Sequence, residues 1–396
     1  MKKKRAMQRQ KNQTSPIDWI LLATTVGLLA YGLLMLYSAT FYVGTNFWRQ
    51  QVLWVTLGGG VILVMLYLPY PLWQRLALPL MGITLFLLLL VLLLGEQVLG
   101  AQRALIGASV QPGILARLVT VIYVAAWLSS KGEQLGQIHY GLIPFAVIIG
   151  VVAGMIALQP DLSTAILLSV TGLAMFFFAG GDPLQIFLSA VSATSAFGFL
   201  AWQFTHARTR LLSYVVSLQD PAQMPYHVHR AIVAIGSGGL FGVGIGAGQL
   251  KSGYLPFPHT DSIFAVIGEE GGLVATLLVL VLFAIFTYRG YRIALETADP
   301  FGSLLAFGAT TMIVTEALLN IMVMIGLVPF TGTALPFFSY GGSEMVITMT
   351  AVGLMLNISR GYPKGDWDAI LDRWGRNWRA RLPRPRRDPG FAVRRS

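Results

Sequence analysis

Between Leu250 and Glu270 the chain gathers Lys251, His259, Asp261, Glu269 and Glu270 at the mouth of a long apolar run, with Pro256 and Pro258 among them. In a chain this apolar, an ionisable residue near a helix mouth is read first as part of a functional site. Asp261 is the leading candidate for the chemistry. Spacing alone favours a plainer role, the N-cap of the helix that follows, unless Thr260 caps it and releases the carboxylate. Glu269 and Glu270 lie about two turns further in and read as groups that hydrogen-bond neighbouring helices. Glu316 sits near the middle of another apolar run with Asn320 one turn on, either a protonated stand-in for an amide or a proton-relay group. Asp161 either caps a helix or faces a ligand.

These residues need a scaffold, and composition names its class. Of 396 residues 55% are hydrophobic and 11% charged, with a mean hydropathy of +0.67, so the expected fold is an all-α polytopic integral membrane protein. No cysteine is present, which excludes disulfides and thiolate chemistry. The net charge of +11 suggests nucleic-acid binding until it is located: six of 28 Lys and Arg fall in residues 1 to 16 and eleven from Arg360 onward. Basic ends beside the first and last spans are what cytoplasmic termini require, so no nucleic-acid partner is expected.

Ten apolar runs are long enough to be spans: residues 17–38, 50–68, 73–94, 112–130, 142–158, 162–179, 184–204, 262–289, 302–328 and 343–358. An even number returns both basic tails, 1–16 and 361–396, to one side of a membrane domain over 17–360. Ser15-Pro16, Asp182-Pro183 and Asp299-Pro300 read as helix starts. The one long connection, about 205 to 262 between spans seven and eight, falls on the extracytoplasmic side. It carries six aromatic residues between Trp202 and Tyr254, four of the five histidines, and Arg208, Arg210, Arg230 and Lys251. A basic, aromatic pocket suits an anionic, phosphate-bearing ligand. His227 and His229 with His259 form either a metal site or loop histidines near such a headgroup. Gly242 to Ala247 fits a dinucleotide fingerprint but has no βαβ context, so no nucleotide cofactor is expected.

Four blocks in order make the chain resemble the SEDS family (FtsW/RodA/SpoVE), the cell-wall polymerases of shape, elongation, division and sporulation. They are Gln159 to Ala165, Ile235 to Gly242, the stretch holding His259-Thr260-Asp261 and Gly268-Glu269-Glu270, and Leu335 to Ser343 with Ser339, Tyr340 and Ser343. Lys251, the segment Ile293 to Gly302 and the basic tail resemble the division branch more than the elongation branch. The family's block before span four survives as Gly100, Ala101, Arg103, Gln111 and Pro112. Its tryptophan is here Ala104, its Ser-Glu pair Gly113-Ile114, and its lysine Arg117. Further departures are Ser262 for phenylalanine, Glu344 for serine and Glu316 for glutamine.

The resemblance implies a bacterial cytoplasmic (inner) membrane enzyme that polymerises lipid II, a disaccharide-pentapeptide on undecaprenyl pyrophosphate, during cell division. It implies a class B penicillin-binding protein and other divisome membrane proteins as partners. Turning an α-linked pyrophosphate into a β-1,4 linkage is an inverting displacement, with Asp261 as base on the acceptor 4-hydroxyl. Arg103, Gln111, Arg208, Arg210, Lys251, His259 and Asp161 would bind substrate. Charge on the leaving pyrophosphate would be neutralised by these cations or by a divalent ion, Mg2+ or Mn2+. The alternatives are a lipid II flippase and a catalytically weak divisome scaffold, both suggested by Glu316 and the missing acid at Ile114.

Overall fold

The computed structural model describes residues 17–42, 44, 46–94, 96–98, 101–104, 111–251 and 253–361. The expected tail 1–16 lies outside the described residues, as do the expected tail 361–396 except Gly361 and the helix start expected at Ser15-Pro16. Side chains of the 96–104 segment, Arg103 and Ala104 included, are outside them too.

Among the described residues the helices are α1 Trp19–Thr40, α2 Asn46–Tyr67, α3 Pro71–Leu94, α4 Pro112–Lys131, α5 Ile143–Ala157, α6 Leu162–Phe178, α7 Pro183–Gln203, α8 Thr205–Gln219, α9 Tyr226–Ser237, α10 Ile263–Glu296, α11 Pro300–Met324 and α12 Gly342–Arg360. A π turn at Ile138–Leu142 extends α5 backwards. Nine of the described helical stretches are long and apolar enough to cross a membrane, and the 17-residue α6 is the tenth apolar helix. The chain is a multi-pass, all-helical membrane protein with one departure, a short antiparallel hairpin of β1 (Glu96–Val98) and β2 (Ala101–Ala104).

Helix starts follow side-chain chemistry. Asp18, Asp161, Asp182 and Asp299 each accept a backbone N–H of the first turn, and Pro183 and Pro300 occupy a position that needs no donor. Asp18 also accepts Arg289 Nε at 3.0 Å, tying the start of α1 to α10. The core is built on α11, 78% of whose apolar window is buried among α4, α6, α10 and α12. At the other extreme α7 has 6% of its window buried and presents nearly all of itself outward. In lipid, where water does not drive packing, small residues let helices approach. Gly32 on α1 abuts the Phe337 carbonyl and Gly290 on α10 abuts Thr310.

Two expectations are corrected here. The connection from 205 to 262 is not one long loop: α8, a 3-10 turn at Pro221–Gln223 and α9 fill its first half. The amphipathic spacing of Val228, Ala231 and Ala234, all buried, explains why α9 is a helix packed on α10. The eighth span is broken at Gly272, whose φ of 66° and ψ of −161° no helix accommodates. The break strands carbonyls of the first half and N–H groups of the second, each costly to leave bare in lipid. The glycine-rich run after α9 satisfies both sets. Val243 and Gly244 donate to the Glu269 and Glu270 carbonyls at 3.0 Å each, while Leu273 and Val274 donate to Gly239 and Leu240 at 2.9 and 3.1 Å. Gly242 has no side chain because a Cβ there would overlap the Glu270 carbonyl.

Candidate active site

The segment that carries Asp261 is held by its main chain. The carbonyls of His259, Thr260 and Asp261 each accept a hydrogen bond from a different group: Tyr340 N at 2.8 Å, Ser339 Oγ at 2.7 Å and Asn320 Nδ2 at 2.8 Å. Asn320 is fully buried on α11 and its amide also donates to the Thr333 carbonyl at 2.6 Å. Ser339 accepts Leu335 N at 2.7 Å, and Gln51 on α2 braces the same loop by donating to the Ser339 carbonyl at 3.1 Å and accepting Gly341 N at 3.3 Å. Phe257 and Phe337, one in each of the two segments so joined, adopt left-handed backbone with φ of 48° and 70°. Such strain persists only where the surroundings over-determine it.

Asp261 is not the helix cap. The N-cap of α10 is Ser262, whose side chain makes no capping bond and donates instead to the Pro256 carbonyl at 2.9 Å. The Asp261 carboxylate is half-buried against Gly332, where a Cβ would lie 3.3 Å from Oδ2. Gly332 directly follows Phe330 and Thr331, which line a cavity of about 490 Å³ between α6, the α7–α8 junction and the end of α11. That cavity is mostly apolar, with Ser163, His206 and Arg210 among its polar lining. Asp261 and the cavity therefore share one loop, 328 to 333.

The cations are disposed differently from the sequence expectation. Arg208 and Arg210 are exposed on α8, stacked over Trp202 at 4.1 Å and Phe330 at 5.1 Å. Lys251, expected among the ligand-binding cations, is 3% exposed and forms an ion pair with Glu270. Its Nζ donates to Ser38 Oγ at 2.8 Å, and Glu270 also accepts Gly246 N at 3.1 Å. The physical reason is local: the glycine-rich run dips beside α10, and only a cation can offset the Glu270 charge there. Glu269 accepts Gln249 N at 2.7 Å and Leu250 N at 3.1 Å, so both glutamates fasten the 246–251 segment.

His259 lies against Phe47 at 4.8 Å, and burial pushes its pKa below the usual histidine value. His227 sits between Phe257 and Phe330 at 6.0 and 4.9 Å; burial first, then the charge of Arg210, lowers its pKa as well. Both rings are therefore biased to the neutral form. His229 is exposed on α9. Among the described residues no three His, Cys, Asp or Glu side chains are grouped to hold a metal. Asp161 caps α6 by accepting Thr164 N at 3.3 Å and Thr164 Oγ1 at 2.9 Å. Gln111 is half-buried at the N-cap of α4 without a side-chain capping bond. Tyr340 and Ser343 are half-buried at the start of α12, with the Tyr340 hydroxyl bonded to Gln50. Sequence reasoning missed Gln51 and Ser38; their only signal is a polar side chain set in an otherwise apolar helix.

The FtsW/RodA/SpoVE family, described as cell cycle protein, matches residues 19–363. The chain belongs to that family. A probable peptidoglycan glycosyltransferase FtsW from Geobacter sulfurreducens is 35% identical over 353 residues, covering 86% of this chain and 95% of its own. Stage V sporulation protein E from Bacillus subtilis is 35% identical over 359 residues, covering 88% and 98%. The same architecture occurs in a chain of the structure described as structural coordination of polymerization and crosslinking by a peptidoglycan synthase complex. That match has a TM-score of 0.74 at 26% identity and covers 88% of this chain and 99% of that one. The rod shape determining protein RodA of Thermus thermophilus matches with a TM-score of 0.67 at 25% identity, over 88% and 98% of the two chains. In this FtsW/RodA/SpoVE member the four sequence blocks converge on the Asp261 end of the bundle: Asp161 and Ser163 on α6, the glycine-rich run beside α10, Asp261 itself, and the 335–343 loop.

Proposed function

We propose that the chain is a peptidoglycan glycosyltransferase that polymerises lipid II during cell division, with Asp261 as general base. The observation that carries this reading is the immobilised 259–261 main chain, whose Asp261 carboxylate abuts Gly332 in the loop that also lines an apolar cavity. Near-attack geometry requires a base whose position is fixed before substrate arrives. The 4-hydroxyl oxygen of one lipid II attacks the anomeric carbon of the growing chain and its bond to pyrophosphate breaks with inversion. Asp261 takes the hydroxyl proton. Arg210, which lines the cavity with its guanidinium over the Phe330 ring, and Arg208, over Trp202 on the same helix, are the cations offered to the departing pyrophosphate. Among the described residues no three His, Cys, Asp or Glu side chains are grouped to cage a divalent ion.

Relatives named as peptidoglycan glycosyltransferases and a neighbour drawn from a peptidoglycan synthase complex support the substrate and a class B penicillin-binding protein partner. An even number of apolar helices together with the basic ends of the sequence supports a bacterial inner-membrane location with both termini in the cytoplasm. One of the two grounds for the flippase alternative is weakened, because Glu316 is engaged with Arg117 at 2.6 Å. The test is full-length protein with its class B partner in lipid vesicles containing labelled lipid II. Glycan strands are the expected product. Headgroup crossing without strands would overturn the polymerase reading in favour of transport.

A further inference from the structure

The segment that carries Asp261 meets the cavity loop through Asp261 and the start of α2 through His259. Phe47 and Gln50 are one turn apart on α2, so both reach the same side of it. The His259 ring lies on Phe47 at 4.8 Å with the planes 30° apart, while Tyr340 meets Phe47 edge-on at 5.2 Å and His259 at 6.3 Å. The Tyr340 hydroxyl donates to Gln50 Oε1. These four side chains are uncharged, burial biasing His259 to its neutral form. Gln50 is exposed and the other three are half-buried, so the cluster belongs to the surface and not to the core.

The patch does not spend its hydrogen-bonding capacity internally. Among the described residues Gln50 uses only Oε1, which leaves both amide N–H donors. His259 Nδ1 is buried without a partner, a cost that packing alone does not explain. The patch is also fixed in advance: Gln51 ties α2 to the Ser339 carbonyl and to Gly341 N, and Tyr340 N holds the His259 carbonyl. Neutral rings with a few fixed polar groups suit a pyranose, whose C–H face lies on a ring while its hydroxyls and N-acetyl group take the hydrogen bonds. The cavity differs in chemistry, with Arg210 set among apolar Ile166, Leu319 and Phe330. A cation in an apolar wall suits a lipid-linked pyrophosphate, and an uncharged patch does not. We infer that Phe47, Gln50, His259 and Tyr340 form the subsite for the acceptor sugar, an uncharged N-acetylhexosamine whose 4-hydroxyl is thereby brought to Asp261, while the cavity takes the departing pyrophosphate. The inference rests on the glycosyltransferase reading for the identity of the sugar, and not for the patch binding one.

The test is saturation-transfer NMR on the full chain with its class B partner in lipid vesicles, with no lipid II present. The probe is di-N-acetylchitobiose, a neutral β-1,4-linked pair of N-acetylglucosamines that carries no phosphate. Transfer to its ring and N-acetyl protons is expected in the wild-type protein. Binding should be about threefold to tenfold weaker in Gln50→Ala and in Phe47→Leu, and unchanged in Arg210→Ala. Gln50 is exposed, so its variant keeps the test open even if Phe47→Leu fails to fold. No transfer in the wild-type protein, an equal loss in Arg210→Ala, or unaltered binding in Gln50→Ala overturns the subsite whatever the activity. Binding that behaves as expected in a protein forming no glycan strands from lipid II would overturn the function and leave the subsite standing.

Discussion

Glu270 and Asp261 are nine residues apart in sequence, and each is fixed in the opposite way. Glu270 is 1% exposed and its carboxylate is consumed by Lys251, Ser38 and the Gly246 N–H. Asp261 is half-buried, and what fixes it is the main chain of residues 259 to 261, held from α11 and the 335–343 loop. Glu270 is thus located through a side chain saturated with partners, and the Asp261 segment through its main chain. The same division separates Lys251 from Arg208 and Arg210: one cation closes a buried pair, the others lie exposed over aromatic rings, with Arg210 in the cavity lining.

The comparison breaks most visibly at Lys251. Lys251→Met leaves a buried carboxylate unpaired and should cost about 3–5 kcal/mol, most of it recovered in the double variant Lys251→Met, Glu270→Gln. Thermal unfolding in detergent measures this. A stable Lys251→Met protein that has lost only activity would move Lys251 to the substrate side. Asn320→Leu removes the bond to the Asp261 carbonyl together with that to Thr333. It should lower polymerisation about a hundredfold through misplacement of Asp261, with a stability loss of about 1–3 kcal/mol. Turnover and melting temperature, measured on one preparation, separate the two effects.

Ser339→Ala frees the Thr260 carbonyl and the Leu335 N–H, and a stability loss of about 0.5–1.5 kcal/mol per bond, with a smaller fall in turnover than in Asn320→Leu, is expected from denaturation curves and activity. The smallest effect is the pH response of His259. Burial lowers its folded pKa beneath the unfolded value near 6.5, so below that pH the unfolded chain binds more protons. Its contribution to stability is complete above about pH 6.5 and is lost as the pH falls toward the lower folded pKa. A melting temperature that declines less between about pH 7 and 5.5 in His259→Asn than in the parent protein checks the sign.

Much of this was legible in the chain. Apolar run lengths located the spans, because a bilayer fixes how long a spanning helix must be. Asp182-Pro183 and Asp299-Pro300 located helix starts because an N-cap followed by proline is a local signal. Asp261 stood out because carboxylates are expensive in such surroundings. What sequence did not carry was pairing across distance. Lys251 and Ser38 are 213 positions apart, and Arg117 and Glu316 are 199 apart. No period or spacing encodes which helices exchange these contacts. The break at Gly272 was hidden for a related reason: the apolar pattern runs through it, and the carbonyls and N–H groups it exposes find partners only in the distant glycine-rich run.

The central claim is that Asp261 is the base and that its neighbours hold it in place. It is tested most directly by incubating labelled lipid II with full-length protein and its class B partner, comparing wild type with Asp261→Asn. The substitution keeps the size and polarity of the side chain and removes its basicity. The account predicts that Asp261→Asn folds, melts within about 1 kcal/mol of wild type in stability and still binds its partner, yet forms no glycan strands. Strands made by Asp261→Asn at the wild-type rate would contradict it.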